Sequence, residues 1–187
     1  MTRAMDERRR GGPWSVPVSV REVPVTGRRF ALEPDAATRA AIAKSADLRA
    51  LPRLQATFDV SRHGAAGLHV AGRVCATVGQ VCGVTLDPID NEIEEMVDLV
   101  FVPGATRPVA DPNARESVEV TGDDPPEPLQ NDTVDLGAIA TEFLILGIDP
   151  FPRKPDAEFQ PPAIDDKTEH PFAALATLRK GPGGRDE

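Results

Sequence analysis

The amino-acid sequence predicts an α+β fold: an antiparallel sheet, free to curl toward a partly open barrel, packed by one main amphipathic helix. Across Leu54–Val74, apolar residues alternate with polar ones on both sides of a glycine-bearing turn, His63–Gly67. That period of two is the signature of a hairpin with one buried face. Val97, Leu99 and Phe101 repeat the alternation further on. Leu136, Ile139, Ala140, Phe143 and Leu144 instead fall on one helical stripe. These patterns divide the chain into a disordered tail over residues 1–12, an α+β domain over 13–155, and a linker, short helix and tail over 156–187.

Each element follows from local chemistry. Trp14–Pro24 sets Val16, Val18 and Val20 at alternate positions, and Pro17, lacking an N–H, restricts this strand to an edge. Leu32–Leu51 reads as the first helix. Pro34 suits its first turn, Asp35 the positive end of its dipole, Ile42 and Leu48 form a thin apolar stripe, and Pro52 stops it. Leu54, Ala56, Phe58 and Val60, then Leu68, Val70, Gly72 and Val74, mark the hairpin strands. Cys82–Gly104 reads as a strand, a break at Pro88 and a second strand. Met96 and Val100 fall opposite Val97 and Leu99, which requires two partly covered faces or a bulge. Ala105–Thr133, rich in Pro, Asp and Asn, reads as a long loop with one short strand, Ser117–Val120. Asp135 suits an N-cap, Gly147 a left-handed C-cap, and Pro150 blocks continuation. Pro155–Pro171 is a linker, Phe172–Lys180 a short amphipathic helix or turn, and the glycine-rich end a tail.

Charge narrows the function. The chain of 187 residues carries a net charge of −9, and a protein that neutralises phosphate needs a basic face. Asp87–Asp149 holds sixteen acidic residues against two cations, Arg107 and Arg115. Such a stretch is a solvated surface or a face for a basic protein. Met1–Arg29 reverses the balance, with seven arginines to three acids, and a flexible arm at Arg8–Arg10 could touch RNA phosphate. One Trp, seven Phe and no Tyr make a poor stacking platform for single strands.

The two cysteines, Cys75 and Cys82, are too few for a disulfide framework, and the charged N-terminus lacks an apolar signal core. No apolar run is long enough to span a membrane. A reduced, cytoplasmic protein follows as the expectation. Cys75 and Cys82 have six residues between them, and His63, His69 and His170 complete no zinc pattern, so no metal and no cofactor are expected. Around Cys82 the sequence offers no activating cation, and no nucleophile elbow, phosphate loop or zinc-protease motif occurs. Asp123, Asp124 and Glu127 read as a solvated loop rather than an acid–base pair. No catalytic residue emerges, and no small-molecule substrate is evident.

Three blocks, Val81–Pro103, Val134–Phe159 and His170–Lys180, taken in this order and spacing, resemble the YceD family of large-subunit ribosomal RNA accumulation proteins. Its most specific elements are Asp135, Leu136 and Glu142, followed by Asp149, Pro150, Pro152, Arg153 and Lys154. The resemblance covers roughly Leu54–Lys180. It implies a bacterial, non-enzymatic accessory factor in ribosome biogenesis, with a ribosomal protein, an assembly factor or ribosomal RNA as partner. Relatives often carry a C-x-x-C where this chain has Gly79 and Cys82, so any metal-binding property of theirs does not transfer.

The residues singled out for partner binding are Asp135, Glu142, Asp149, Phe151, Pro152, Arg153 and Lys154. Asp135 and Glu142 lie two helical turns apart, which points both carboxylates the same way. Arg153 and Lys154 are placed to pair with them or with the acidic loop. This stretch serves as a clasp that determines the fold, as a docking edge, or as both. Direct RNA binding by the N-terminal arm and an uncharacterised enzyme are the alternatives.

Overall fold

A computed structural model describes residues 12–105 and 125–159. The chain divides into two units, Met1–Ala157 and Glu158–Glu187, and only Glu158 and Phe159 of the second are described. The arginine-rich start, the Ser117–Val120 strand and the Phe172–Lys180 helix expected from the sequence lie outside the described residues.

Among the described residues, seven strands and two α-helices are ordered β1 Pro17–Ser19, β2 Arg28–Leu32, α1 Ala36–Ser45, β3 Ala50–His63, β4 Gly67–Val81, β5 Pro88–Val102, β6 Glu127–Pro128, β7 Thr133–Asp135 and α2 Leu136–Leu146. A single 3-10 turn, Val20–Glu22, follows β1. The main sheet runs β2-β3-β4-β5-β6, antiparallel except for the parallel β5–β6 pair. It stays open, with β2 and β6 at its ends, so the curl toward a barrel stops short of closure. A second sheet pairs β1 with β7.

The hairpin forms where the alternation places it. Leu54, Ala56, Phe58 and Val60 of β3 and Leu68, Val70, Val74, Ala76 and Val78 of β4 are all buried. Opposite them, α2 buries Leu136, Ile139, Ala140 and Leu144. Each Val, Leu, Ile or Phe so buried contributes about 1.5–3 kcal/mol of transfer free energy, and each Ala less. Trp14, Val18, Val20, Val23, Ile42, Leu129 and Val134 close the same core.

Several expectations are corrected. Pro52 does not stop α1, and Pro34 precedes its cap. The helix ends at Ser45, where Asp47 turns left-handed (φ 53°) and the Leu48 N–H bonds the Ala43 carbonyl, a Schellman closure. Pro52 instead lies inside β3, where the register shifts between Ala50 and Arg53. A bulge is where a strand tolerates a missing N–H. Cys82–Asp87 is no strand but the tight β4–β5 connection, and Pro88 begins β5. No bulge separates the two faces of β5: its register with β4 is unbroken from Phe101 to Pro88, and Met96 points into solvent, 71% exposed.

Gly147 is not a left-handed cap. It keeps helical geometry (φ −80°, ψ −6°). A Cβ there would stand 2.7 Å from Ile93 Cγ2 and from Glu95 Oε1, so the glycine lets α2 end against β5. Gly137 acts similarly at the other end, where a Cβ would meet the Trp14 carbonyl oxygen at 2.9 Å.

Candidate functional site

The seven residues singled out from the sequence divide between the two ends of α2. An eleven-residue helix is roughly 16 Å long, so Asp135 and Asp149 do not share a site. At the N-terminal end the Asp135 carboxylate is fully engaged. Its Oδ1 accepts from the Gly137, Ala138 and Val16 N–H groups at 3.0, 3.1 and 2.8 Å, and its Oδ2 from the Ser15 hydroxyl at 2.6 Å. It caps α2 and ties the N-terminal segment to it. Glu142 is exposed midway along the helix, and no described cation bridges the two carboxylates.

At the C-terminal end the chain leaves α2 and straps the β4–β5 connection. Asp149 Oδ1 accepts from the Phe151 N–H at 2.8 Å, the local turn that an Asp before Pro favours. The Gln80 amide donates to the Asp149 carbonyl at 2.8 Å, and is itself held by Asn91. The Gly83 N–H donates to the Pro152 carbonyl at 2.9 Å. The Lys154 N–H reaches Cys82 Sγ at 3.5 Å, and its ammonium donates to Asp87 Oδ2 at 2.7 Å. Lys154 therefore pairs with Asp87, not with Asp135 or Glu142. The two prolines fix φ along this strap, and four contacts over six residues hold it rigidly.

Cys82 sits beneath the strap, its residue wholly buried. Its sulfur accepts from the Thr85 N–H as well as from Lys154. Hydrogen bonding from Thr85, then the Lys154 N–H, lowers the thiol pKa from its ordinary value to about 6. The larger donor, Thr85, is local, whereas the Lys154 N–H comes from 72 residues away and has no mark in the sequence around Cys82. Asp87 is likewise held below the usual carboxylate range, chiefly by the Lys154 ammonium and then by Thr85. Among the described residues no group of three or more His, Cys, Asp or Glu is placed to hold a metal.

What the strap leaves outside is apolar. Phe151 is 76% exposed and Leu86, at the tip of the β4–β5 connection, 77%. Leu86 also adopts a left-handed backbone (φ 62°), which a bulky residue holds only when its surroundings impose it. Leu146 and Ile145 are exposed at the end of α2, and Arg153 projects from the strap with no partner among the described residues. An open groove of about 440 Å³ runs beside it, lined by Asp47, Leu48, Arg49, Gln80, Val81 and Pro152.

The acidic middle of the chain is not one bare anionic face. Across the solvent side of the sheet, Arg49 pairs with Asp90, Arg53 with Glu92 and Arg73 with Glu94, at 2.6–3.5 Å, and the His69 imidazole is hydrogen-bonded to Asp98 at 2.6 Å. Opposite charges facing across strands are mutually stabilising. The arginines come from β3, β4 and the loop before β3, 21 or more residues in sequence from their carboxylates, which is why a count of charge along the chain overstates the anionic surface.

A family model described as "Large ribosomal RNA subunit accumulation protein YceD" matches residues 70–179. No curated protein and no solved structure matches. The matched range contains β4, the Cys82 connection, β5, α2 and the strap, and leaves out α1 and the first three strands.

Proposed function

This chain belongs to the YceD family, described as large ribosomal RNA subunit accumulation proteins, and from that premise we propose that it supports large-subunit ribosomal RNA by holding a protein partner rather than by catalysis. The docking point is the strap. Phe151 and Arg153 make the contact, Leu86 and Leu146 extend its apolar area, and Asp149, Pro152 and Lys154 position it. Glu142 borders it from α2, and Asp135 keeps α2 in place. The partner is a ribosomal protein or assembly factor, met in the cytoplasm.

One observation carries this reading. Phe151 is held out in water on a strap that four hydrogen bonds and two prolines constrain, beside the exposed Leu86 of the β4–β5 connection. Exposed apolar groups on a constrained backbone, beside a guanidinium with no partner among the described residues, are what interface anchors require. The test is a pair of readouts for Phe151→Ala with Arg153→Ala. Cells relying on this variant should lose large-subunit RNA relative to small-subunit RNA, and the purified variant should fail to co-purify ribosomal proteins. Normal RNA levels with the variant would rule the strap out.

A second reading, direct RNA contact, has one observation in its favour. A groove of about 670 Å³ between α1 and the start of β3 is lined by Arg39, Lys44 and Arg49 against the single acid Asp47. Reversing charge at Arg39 and Lys44 should abolish RNA retention on that reading and leave it unchanged on the first.

A further inference from the structure

The outer side of β5 offers a second surface. β5 spans Pro88–Val102, yet β6 pairs only with Phe101 and Val102. Among the described residues nothing pairs with the outer side of Pro88–Val100. Alternate residues there direct N–H and C=O groups away from β4 over roughly 40 Å. Two usual means of closing an edge, a bulge and an internal proline, are missing here, while the acidic side chains of β5 remain to discourage like-charged strands. Register with β4 runs without a bulge, and after Pro88 no proline interrupts the strand.

Charge supplies the selectivity. β5 carries Asp90, Glu92, Glu94, Glu95 and Asp98 and no cation. The arginine partners of Asp90, Glu92 and Glu94 lie inboard, on β3, β4 and the loop before β3, so the outermost row of charge on the sheet is negative. Two copies meeting edge to edge along β5 would oppose acid to acid. The other end of the sheet, β2, has five residues and could cover only part of β5. An extended segment with Lys or Arg at alternate positions would set each cation beside Glu92, Glu94 or Asp98 while its backbone completed the ladder.

We propose that the outer edge of β5, Pro88–Val100, takes up an extended cationic segment of a protein partner as an added strand. This rests on the protein-contact reading above and deepens it: the strap anchors a partner whose basic extension lies along β5. Main-chain bonds give the affinity and the acids give the preference for basic sequence.

The probe is a synthetic peptide of roughly nine residues alternating lysine and valine, labelled and titrated into the full chain at low salt. Methylation of every second backbone nitrogen removes the donors of one edge and keeps every charge. It should weaken binding at least about tenfold, equivalent to about 1.4 kcal/mol. Glu94→Gln with Asp98→Asn, both at exposed positions, should weaken it several-fold. Equal binding of methylated and unmethylated peptide would reduce the contact to charge adsorption and overturn the proposal, as would no binding. A dimer in light scattering that the peptide does not dissociate would assign the edge to a second copy and overturn it too. If the peptide fails while ribosomal proteins still co-purify through Phe151 and Arg153, the edge is wrong and the strap stands.

Discussion

Replacing Asp135 with alanine removes four hydrogen bonds at one carboxylate. Loss of the helix cap costs about 1 kcal/mol, within a range of 0.5–2. The bonds to the Val16 N–H and the Ser15 hydroxyl each add about 1 kcal/mol, since their donors become partly solvated once freed. The total is about 3 kcal/mol, a large part of the roughly 5–15 kcal/mol that holds a domain folded. With a urea slope near 2 kcal/mol/M the midpoint should fall by about 1.5 M, the slope itself staying constant. Asp135→Asn keeps one acceptor oxygen and should lose about half as much. A double-mutant cycle with Ser15→Ala should show coupling of about 0.5–1 kcal/mol. An Asp135→Ala midpoint within about 0.3 M of the parent would refute this account of the residue. Loss of partner capture in Asp135→Asn at unchanged stability would make Asp135 a contact residue instead.

Gly147→Ala should destabilise by about 1 kcal/mol in chemical denaturation. The usual gain at a helical glycine is outweighed by the push on Ile93, and a stabilised variant would show that Ile93 and Glu95 yield freely. Phe151→Ala should leave the denaturation midpoint within about 0.5 kcal/mol of the parent, because the ring is mostly in water; a larger loss would make it a packing residue. In a Cys75→Ser background, thiolate ultraviolet absorbance should titrate near pH 6, and a midpoint near the ordinary thiol value of about 8.5 would remove the N–H···S account. Because the folded thiol pKa lies below the unfolded one, its contribution is complete above about pH 8.5 and is lost as pH falls through about 6. Stability should therefore rise with pH across that window, and Cys82→Ala should flatten the rise. The lowered Asp87 has the same sign at more acid pH: the Lys154–Asp87 contact should weaken as the carboxylate protonates, and Lys154→Met should reduce the acid sensitivity of the strap in hydrogen exchange.

The hairpin and α2 could be read from the chain because their signals are local. Alternation over Leu54–Val74 needs only a pleat, and the Asp135 cap only its own helix. The ends of α1 were misplaced because Pro52, a strong local stop, competes with Asp47, whose left-handed turn has no sequence mark of its own. Gly147 was assigned a familiar cap role when its constraint is the side chain of Ile93 on another strand. At the strap, the motif Asp149–Lys154 could be named, but not what it grips, since Gln80, Gly83, Cys82 and Asp87 lie 67–72 residues earlier.

Sequence alone determined the family, the α+β class, the cap at Asp135 and the identity of the strap, since each rests on periodicity or on neighbours a few residues apart. Tertiary structure alone decided that carboxylates of β5 meet arginines from β3, β4 and the loop before β3, that Lys154 joins Thr85 in making Cys82 acidic, and that Phe151 and Leu86 stand in water with a strand edge that no other described residue covers. Electrostatics and exposure depend on distance through space, and the fold brings together charges and donors that the chain keeps far apart.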